Sequence, residues 1–252
     1  MDTYSKDHDQ VPPSTETTNS YALSVPQDPS EVFEVMNPPP DEFDPYKDRP
    51  LSTGRYAKRS DAHRQGLWHC SVHIWIVRKR SFGPFPVEIL LQKRSMTKDT
   101  FPGRWDISSA GHMEAGKGSL ETACLELAEE LGVVLDPKIE ALTATRQGGE
   151  HRNHVKDRLH FAFITPAEAA PLGGCNAYEH VYFLIRNSAK NNECNDCEEF
   201  SLGKEEVSEV SWVPLVHVLS ALRSGDKEYA PRTKQYVELM EKELGKIFDS
   251  NK

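Results

Sequence analysis

Three glutamates on one predicted helix are the residues whose spacing is best suited to chemistry. Glu126, Glu129 and Glu130 lie three and four positions apart, a spacing that brings them to one helical face. Their charges repel one another, and carboxylate oxygens are the ligands that Mg²⁺ and Mn²⁺ prefer. The spacing alone is also typical of a solvated acidic helix face, so a divalent-metal site needs support from the surrounding sequence.

The helix that carries these glutamates is predicted from Ser119 to Leu131. Its apolar residues recur at helical spacing and form one stripe: Leu120, Ala123, Cys124, Leu127, Ala128 and Leu131. Ser119 is predicted to cap the first turn, and Gly132 is predicted to end the helix. The stripe would pack on the core and leave the three glutamates on the opposite face.

Glycines and glutamates around this helix fall at fixed offsets. The set comprises Gly111, Glu126, Leu127, Glu129, Glu130, Gly132 and Val133. With this pattern, and with residues 101–106 (FPGRWD) before it, the sequence resembles the signature of the Nudix hydrolase family. Lys117 and Leu125 depart from that signature, which usually has glutamate and arginine there. Because those two residues typically pair in the family, losing both leaves neither without its partner.

The resemblance implies a fold, a cofactor and a reaction. The fold is an α/β (α+β) domain, an α/β/α sandwich with a mixed sheet and a loop-helix-loop catalytic motif. Mg²⁺ or Mn²⁺ would be held by Glu126, Glu129, Glu130 and the Gly111 carbonyl. The reaction would be metal-dependent hydrolysis of a diphosphate linkage in a nucleoside-diphosphate-type or related small anionic substrate.

Catalytic and substrate-binding residues follow from the same resemblance. One carboxylate should act as general base, because the attacking water must lose a proton. The candidates are Glu126 and Glu130 in the motif, and an acid from a distant loop, for which the sequence offers Glu206 and Glu209. Surface solvation is an equally good interpretation of those last two residues. For the substrate phosphates the candidates are Arg94 and Arg104, since guanidinium groups bind phosphate bidentately.

Two other functions are weighed against hydrolysis. From about Glu31 to Phe248 the chain looks closest to the isopentenyl-diphosphate-isomerase-like branch of the superfamily. The isomerases need a cysteine before their Gly-His pair, where this chain has Ala110. Their acidic metal ligands would fall near Tyr178 and His180, which are not carboxylates. Hydrolysis is therefore favoured, and a catalytically weak binding module is the third alternative.

Three histidines belong to the same comparison. In the isomerases, histidines in comparable places bind a metal, and His63, His69 and His112 can be placed on those positions. Histidines are often satisfied inside α/β domains by hydrogen bonds. We therefore expect core or hydrogen-bonded roles for all three in preference to metal ligation.

The rest of the chain is predicted as a polar tail, residues 1–30, followed by one domain, residues 31–252. The predicted strands are 32–36, 68–77, 87–94, 158–164, 180–185 and 207–213, and two further helices are predicted over 215–223 and 233–248. The polar stretches 147–157 and 187–202 are expected to shape substrate specificity.

The amino-acid composition restricts which classes of ligand and partner the protein can bind. The net charge of −9 over 252 residues argues against a nucleic-acid polymer as ligand. No apolar run is long enough to cross a bilayer, so we expect a cytoplasmic protein without membrane contact. Five scattered cysteines indicate reduced thiols. A small-molecule diphosphate is the expected partner, and a homodimer is left open.

Overall fold

A computed structural model describes residues 28–80, 85–136, 158–169, 174–187 and 200–249. The strands are β1 (Val32–Met36), β2 (Ser52–Lys58), β3 (His69–Lys79), β4 (Val87–Arg94), β5 (Trp105–Asp106), β6 (Ser109–His112), β7 (Arg158–Ala167), β8 (Ala177–Asn187) and β9 (Val207–Pro214). The helices are α1 (Arg59–Gln65), α2 (Ser119–Leu131), α3 (Leu215–Ser224) and α4 (Lys234–Asp249). The predicted tail up to residue 27, segment 147–157 and most of segment 187–202 lie outside the described residues.

A mixed sheet forms the centre of the domain, in the order β5-β4-β3-β8-β7. Strand β3 pairs in parallel with β8 along one edge. Its other edge is shared, because β6 pairs antiparallel with the first half of β3 and β4 pairs with its end. Strand β9 pairs with β4, while β1 and β2 form a separate two-stranded sheet. The arrangement brings β6, which leads into α2, next to the middle of the sheet.

Apolar side chains of β3 alternate between the two faces of the sheet, and helices cover each face. Trp75 and Val77 pack in one cluster with residues of α3 and α4, whereas Ile74 and Ile76 pack in another with the apolar stripe of α2. Successive strand residues point to opposite faces, so one strand with two apolar faces requires a cover on each side. The result is the predicted α/β/α sandwich with a mixed sheet.

Helix α2 has the predicted bounds, and Gly132 ends it in the left-handed conformation with φ of 69°. The predicted cap is wrong, since Gly118 is the N-cap residue and no side chain caps the helix. The Ser119 hydroxyl instead pairs with the hydroxyl of Tyr182 at 2.7 Å. Side chains of α2 are thus tied to the sheet from its first turn.

Two elements before the central sheet are absent from the sequence-based prediction. Strand β2 is exposed along nearly its whole length, so it carries no alternation of apolar and polar residues. Helix α1 has only seven residues and buries Ala62 alone. Neither element has the periodic apolar signal on which the prediction rests.

Candidate active site

A cleft of about 470 Å³ lies beside β6 and the first turns of α2. Its lining carries charges of both signs: Arg59, Arg94, Lys98, Arg232, Asp106, Glu126, Glu129, Glu179 and Glu206. Charged groups at a partly buried surface interact more strongly than in water, so the arrangement of these groups decides what the cleft can bind.

Glu126 reaches the cleft by lying across the backbone of Gly111. A Cβ atom on residue 111 would stand 1.8 Å from the Glu126 Oε1 atom, much closer than any real contact. Only glycine leaves room there for the carboxylate. Gly111 is in β6, so the pairing of β6 with β3 fixes this backbone against the glutamate face of α2.

Glu130 is buried at 1% exposure, one helical turn beyond Glu126. Its Oε2 atom accepts hydrogen bonds from the Ala110 amide at 3.0 Å and from the Gln92 side chain at 3.3 Å. Its Oε1 atom is buried without a hydrogen-bond partner. An unsatisfied buried carboxylate oxygen is costly, and a cation is the partner that removes that cost.

Glu206 comes from the turn before β9 and completes the cluster. Carboxylate oxygens of Glu126, Glu130 and Glu206 all lie within 4.8 Å of one another. The turn is held against α2 because the Gly203 amide donates to the Glu130 carbonyl at 3.0 Å. A Cβ atom on Gly203 would stand 2.6 Å from the Glu129 carbonyl oxygen, so this approach also requires glycine.

Within the described residues, Lys98 is a buried cation that pairs with this cluster. Its ammonium nitrogen lies 3.1 Å from Glu206 Oε1 and 3.9 Å from Glu130 Oε1, and its side chain is only 8% exposed. One positive charge faces three carboxylates. The cluster is therefore still short of positive charge, as expected for a site that takes a divalent ion.

Burial and repulsion between neighbouring carboxylates raise the pKa values of two motif glutamates, Glu126 and Glu130. Burial, followed by repulsion from Glu130 and Glu206, raises the pKa of Glu126 well above its ordinary value. Burial raises the pKa of Glu130 to about 7, although Lys98 opposes the shift. Ionising these side chains together is thus unfavourable without a bound cation. The oxygen-only donor set and the unsatisfied Glu130 oxygen both fit Mg²⁺ or Mn²⁺.

The sequence matches the NUDIX domain family over residues 67–234. The chain belongs to the Nudix family. It is 35% identical over 210 residues to Nudix hydrolase 3 of Arabidopsis thaliana, an alignment covering 78% of this chain and 21% of that protein. The chain thus spans about a fifth of the length of this curated relative.

Two further comparisons agree with the Nudix assignment. An isopentenyl-diphosphate Delta-isomerase of Jannaschia sp. is 25% identical over 174 residues, which cover 69% of this chain and 80% of that enzyme. The crystal structure of DR0079 from Deinococcus radiodurans superposes with a TM-score of 0.50 at 16% identity, covering 84% of this chain and 99% of that one. The superposition supports the Nudix fold, and the isomerase shows that the relatives include the predicted branch.

The remaining predicted residues lie in different places relative to the Nudix cleft. Glu129 and Arg94 line it, but the Arg94 guanidinium is held by Asp106 at 3.1 Å and by two oxygens of Thr100. Arg104 is not among the lining residues and lies over the ring of Phe101, 5.4 Å from its centroid. Arg94 therefore reaches the cleft as part of an ion pair, and Arg104 does not reach it.

Glu209, the other candidate base from the end of the chain, lies outside the cleft. It is exposed, pairs in register with Lys93 on the sheet edge, and is not among the residues that line the cleft. Glu206 lies three residues earlier, in the turn before β9, whereas Glu209 is in the strand. The turn before β9, and not β9 itself, therefore places a carboxylate beside Glu126 and Glu130 of α2. Glu206, named with Glu209 in the sequence analysis, therefore replaces it as the candidate.

The two departures from the Nudix signature have local partners or contacts. The Lys117 ammonium pairs with the Glu114 carboxylate at 2.5 Å, within the loop before α2. Leu125 lines the cleft at the position where an arginine is usual. The lost family pair is thus replaced by a local ion pair and an apolar wall, and no buried charge is left unpaired between them.

A second group of charges in the cleft was missed by the sequence analysis. Arg94 and Arg232 both pair with buried Asp106. Burial opposes the ionisation of Asp106, but the two guanidinium groups outweigh it and keep its pKa below the ordinary value. Beside them, the Glu179 carboxylate lies 3.6 Å from His73 Nε2. No motif marks these residues, because distant segments bring them together.

Strand β8 also differs from the isomerase-based expectation. By resemblance, the acidic metal ligands of the isomerases would fall near Tyr178 and His180. In the structure the Tyr178 hydroxyl donates to the Asn37 carbonyl at 3.0 Å, and the residue between the two, Glu179, points into the cleft. Burial raises the pKa of Glu179 to about 7. A carboxylate is therefore present on this strand, one position away from the expected ones.

Within the described residues, no helix is both long and apolar enough to span a membrane.

Proposed function

We propose that this chain is a divalent-metal-dependent hydrolase that cleaves a diphosphate linkage in a small, nucleoside-diphosphate-type substrate. The observation that carries the proposal is the convergence of carboxylate oxygens from Glu126, Glu130 and Glu206 within 4.8 Å on the wall of the cleft. Membership of the Nudix family supports this interpretation, because relatives such as Nudix hydrolase 3 are named as hydrolases.

The residues that would hold Mg²⁺ or Mn²⁺ are Glu126, Glu130 and Glu206, with Glu129 and the Gly111 carbonyl beside them. When bound, such an ion neutralises the diphosphate, lowers the pKa of water and stabilises the departing phosphate. The protein supplies a rigid frame for this chemistry. Gly111 fixes Glu126, and the Ala110 amide with Gln92 fixes one oxygen of Glu130, so the second oxygen is left for the ion.

Glu206 is our candidate for the general base. Its carboxylate lies beside those of the motif glutamates, and Lys98 pairs with it at 3.1 Å. A carboxylate at this place could accept a proton from a water molecule beside the metal-binding oxygens. Glu206 would take the proton of the water, whose oxygen forms a new P–O bond. The bridging P–O bond breaks, the bridging oxygen leaves with the other phosphate, and two phosphate-bearing products are released.

The shape and charge of the cleft suit a compact anionic substrate. Its volume of about 470 Å³ is within the usual range for small-molecule sites. Arg59, Lys98 and Arg232 provide positive charge on different parts of the wall. Substrate phosphates would therefore lie between these cations and the ion held by the carboxylates.

Isomerisation of an isoprenoid diphosphate is less well supported. Ala110 occupies the place where the isomerases need a thiol to move a proton at carbon. Isoprenoid diphosphates nevertheless belong in the test, because relatives of this chain include isomerases.

The experiment is a survey of phosphate and diphosphate release from nucleoside di- and triphosphates, nucleotide sugars, dinucleotides and isoprenoid diphosphates. Each reaction contains Mg²⁺ or Mn²⁺ and compares the native chain with Glu130→Gln. We expect metal-dependent hydrolysis of at least one nucleotide class that is lost in the variant. Turnover that leaves a diphosphate intact while moving a double bond would favour the isomerase, and a folded chain without any turnover would favour a binding module.

A further inference from the structure

One arginine of the cleft, Arg232, is fixed by the backbone of a segment that lies against β5. In this segment, between α3 and α4, the Ala230 amide donates to the Trp105 carbonyl oxygen, and the Trp105 amide donates to the Glu228 carbonyl oxygen, both at 2.8 Å. Pro231 follows and restricts its own φ angle. The Arg232 side chain is only 10% exposed, and it lines the cleft. The protein therefore holds this guanidinium group at a defined place in the cleft wall.

Among the described residues, the Nε atom of Arg232 has no hydrogen-bond acceptor, although it is buried. The other two nitrogens of the guanidinium group are used within the protein. Nη2 pairs with the Asp106 carboxylate, and Nη1 donates to the Pro231 carbonyl oxygen at 2.7 Å. A guanidinium nitrogen can only donate, and a buried donor without an acceptor is costly. An oxygen atom of a ligand is the partner that would remove this cost.

Arg94, the other arginine on the Asp106 carboxylate, differs because each of its guanidinium nitrogens already donates to a protein oxygen. Its Nε atom donates to the Thr100 carbonyl oxygen at 2.8 Å, and Nη1 donates to Asp106 at 3.1 Å. Its Nη2 atom donates to the Thr100 hydroxyl at 3.1 Å. Of the two arginines, Arg232 is therefore the one with a guanidinium nitrogen left for a ligand.

The charges around Arg232 do not balance. Asp106 supplies one negative charge to two guanidinium groups. Glu179 also interacts with Arg232, but burial raises the pKa of Glu179 to about 7, so this carboxyl group is only partly ionised near neutral pH. His73, which lies 3.6 Å from Glu179, is neutral because burial holds its pKa well below the ordinary value. This part of the cleft is therefore short of negative charge, whereas the carboxylate cluster is short of positive charge.

Ala110 connects the surroundings of Arg232 with the carboxylate cluster. The Ala110 amide donates to Glu130 Oε2 at 3.0 Å, and Ala110 pairs in register with His73 across β6 and β3. The Cβ atoms of directly opposed strand residues lie about 4.5–5.5 Å apart. His73 in turn faces Glu179. A substrate held at the carboxylate cluster by its diphosphate would therefore reach Arg232 with a neighbouring group, past the small side chain of Ala110.

We propose that Arg232 is a specificity-determining residue that binds a second acidic group of the substrate, a carboxylate or a phosphate ester, beside the diphosphate that is cleaved. The Nε–H of Arg232 donates to an anionic oxygen of that group. Guanidinium groups form short, charge-assisted hydrogen bonds with both kinds of anion. A neutral carbonyl oxygen would satisfy Nε but would leave the charges unbalanced. The inference rests on the proposed function, because it assigns a further part of a diphosphate substrate.

The test uses two pairs of compounds that contain a diphosphate and differ in one acidic group. UDP-glucuronic acid and UDP-glucose differ in a carboxylate, whereas coenzyme A and 3′-dephospho-coenzyme A differ in a phosphate ester. Calorimetric titration with Ca²⁺ in place of Mg²⁺ measures binding without requiring turnover, because Ca²⁺ also takes oxygen ligands. In one pair, the member with the acidic group should bind the native chain at least about tenfold more tightly, the scale of one charge-assisted hydrogen bond. The pair that shows this preference distinguishes a carboxylate from a phosphate ester.

Variants of Arg232 assign the preference to this residue. Arg232→Lys keeps a positive charge beside Asp106 but removes the Nε donor, and Arg232→Gln removes the charge as well. In both variants, affinity for the acidic member of the pair should fall by about tenfold or more, while affinity for the other member should hardly change. Arg223→Gln is the matched control, since this half-exposed arginine of α3 pairs with Glu241 and does not line the cleft. It should keep the native preference.

Hydrolysis of the same compounds is measured separately with Mg²⁺, which distinguishes this inference from the proposed function. A binding preference that depends on Arg232, in a chain that hydrolyses no diphosphate compound, would refute the hydrolase and leave the Arg232 site standing. Hydrolysis without a binding preference would leave the hydrolase standing and overturn the Arg232 site. Absence of binding by all four compounds, or a preference that persists in folded Arg232→Lys and Arg232→Gln variants, also overturns it. The comparison of compounds on the native chain needs no variant, so it decides the question even where a variant fails to fold.

Discussion

The Glu126 carboxylate occupies the space that a side chain on Gly111 would need, with a Cβ atom there only 1.8 Å from Oε1. Gly111→Ala should therefore push Glu126 away from Glu130 and Glu206 while leaving every charged group in the chain. We expect hydrolysis to fall by about a hundredfold, the usual scale for misplacing a catalytic group by an ångström. The measurement is steady-state phosphate release at saturating Mg²⁺.

Gly118→Ala is the matched control for this substitution. A Cβ atom at position 118 would have no heavy atom within 4 Å, although this glycine also lies beside α2. It should keep native turnover. Native turnover in a folded Gly111→Ala variant would show that the contact with Glu126 does not matter for the reaction.

Glu206 and Glu209 provide a direct test of the general base. They are three residues apart, yet only Glu206 faces the motif carboxylates. Glu206→Gln should lower kcat by about a hundredfold or more, the typical contribution of a general base. Glu209→Gln should leave it unchanged. Equal losses in both variants, or a larger loss in Glu209→Gln, would refute the assignment to Glu206.

The sequence correctly predicts those helices and strands whose bounds depend on neighbouring residues. The helix bounds 119–131 and the strand at Val87–Arg94 are predicted correctly, because apolar periodicity and glycine placement are properties of neighbouring residues. The grouping of Glu126 with Glu130 follows from the same helical geometry. Family resemblance added the expectation that Gly111 lies next to them.

Other parts of the site could not be predicted because they depend on long-range contacts. Lys98 enters the carboxylate cluster from a loop after β4, and no pattern in its neighbours indicates this. Glu206 and Glu209 look alike in sequence, and only the turn through Gly203 decides which of them faces α2.

Lys98 competes with a metal ion for the same oxygens. Its ammonium nitrogen is 3.1 Å from Glu206 Oε1 and 3.9 Å from Glu130 Oε1. Lys98→Met should therefore tighten Mn²⁺ binding by about tenfold, equivalent to about 1.4 kcal/mol, and lower the stability of the metal-free chain. Calorimetric Mn²⁺ titration measures the first effect. Lys234→Met, at a lysine whose side chain is 90% exposed, is the control. Weaker Mn²⁺ binding in Lys98→Met would mean that the lysine assists the ion instead.

Glu179 should make stability depend on pH. Burial raises its pKa from 4.5 to about 7, so the folded chain binds a proton more readily than the unfolded chain between these values. The contribution of Glu179 to stability is therefore full at low pH and is lost as the pH rises through this window. Glu179→Gln removes the effect, and its stability relative to the native chain should increase with pH by at most about 3 kcal/mol.

Urea unfolding of the native chain and Glu179→Gln, between about pH 5 and pH 8, measures this difference. The difference should become constant once the pH exceeds the folded-state pKa. Glu209→Gln, at an exposed position, should show a difference that does not change with pH. A Glu179→Gln difference that stays flat, or that decreases as pH rises, would contradict a protonated Glu179 in the folded chain.

The most direct test of the account is a Mg²⁺ titration of hydrolysis by the native chain and by Glu126→Gln, using the best nucleotide substrate. The native rate should rise with Mg²⁺ to a plateau and vanish with a chelator. Glu126→Gln, with an unchanged circular dichroism spectrum, should lose at least about a hundredfold at every Mg²⁺ concentration. Native turnover that needs no divalent ion, or a Glu126→Gln variant as active as the native chain, would contradict hydrolysis at this carboxylate cluster.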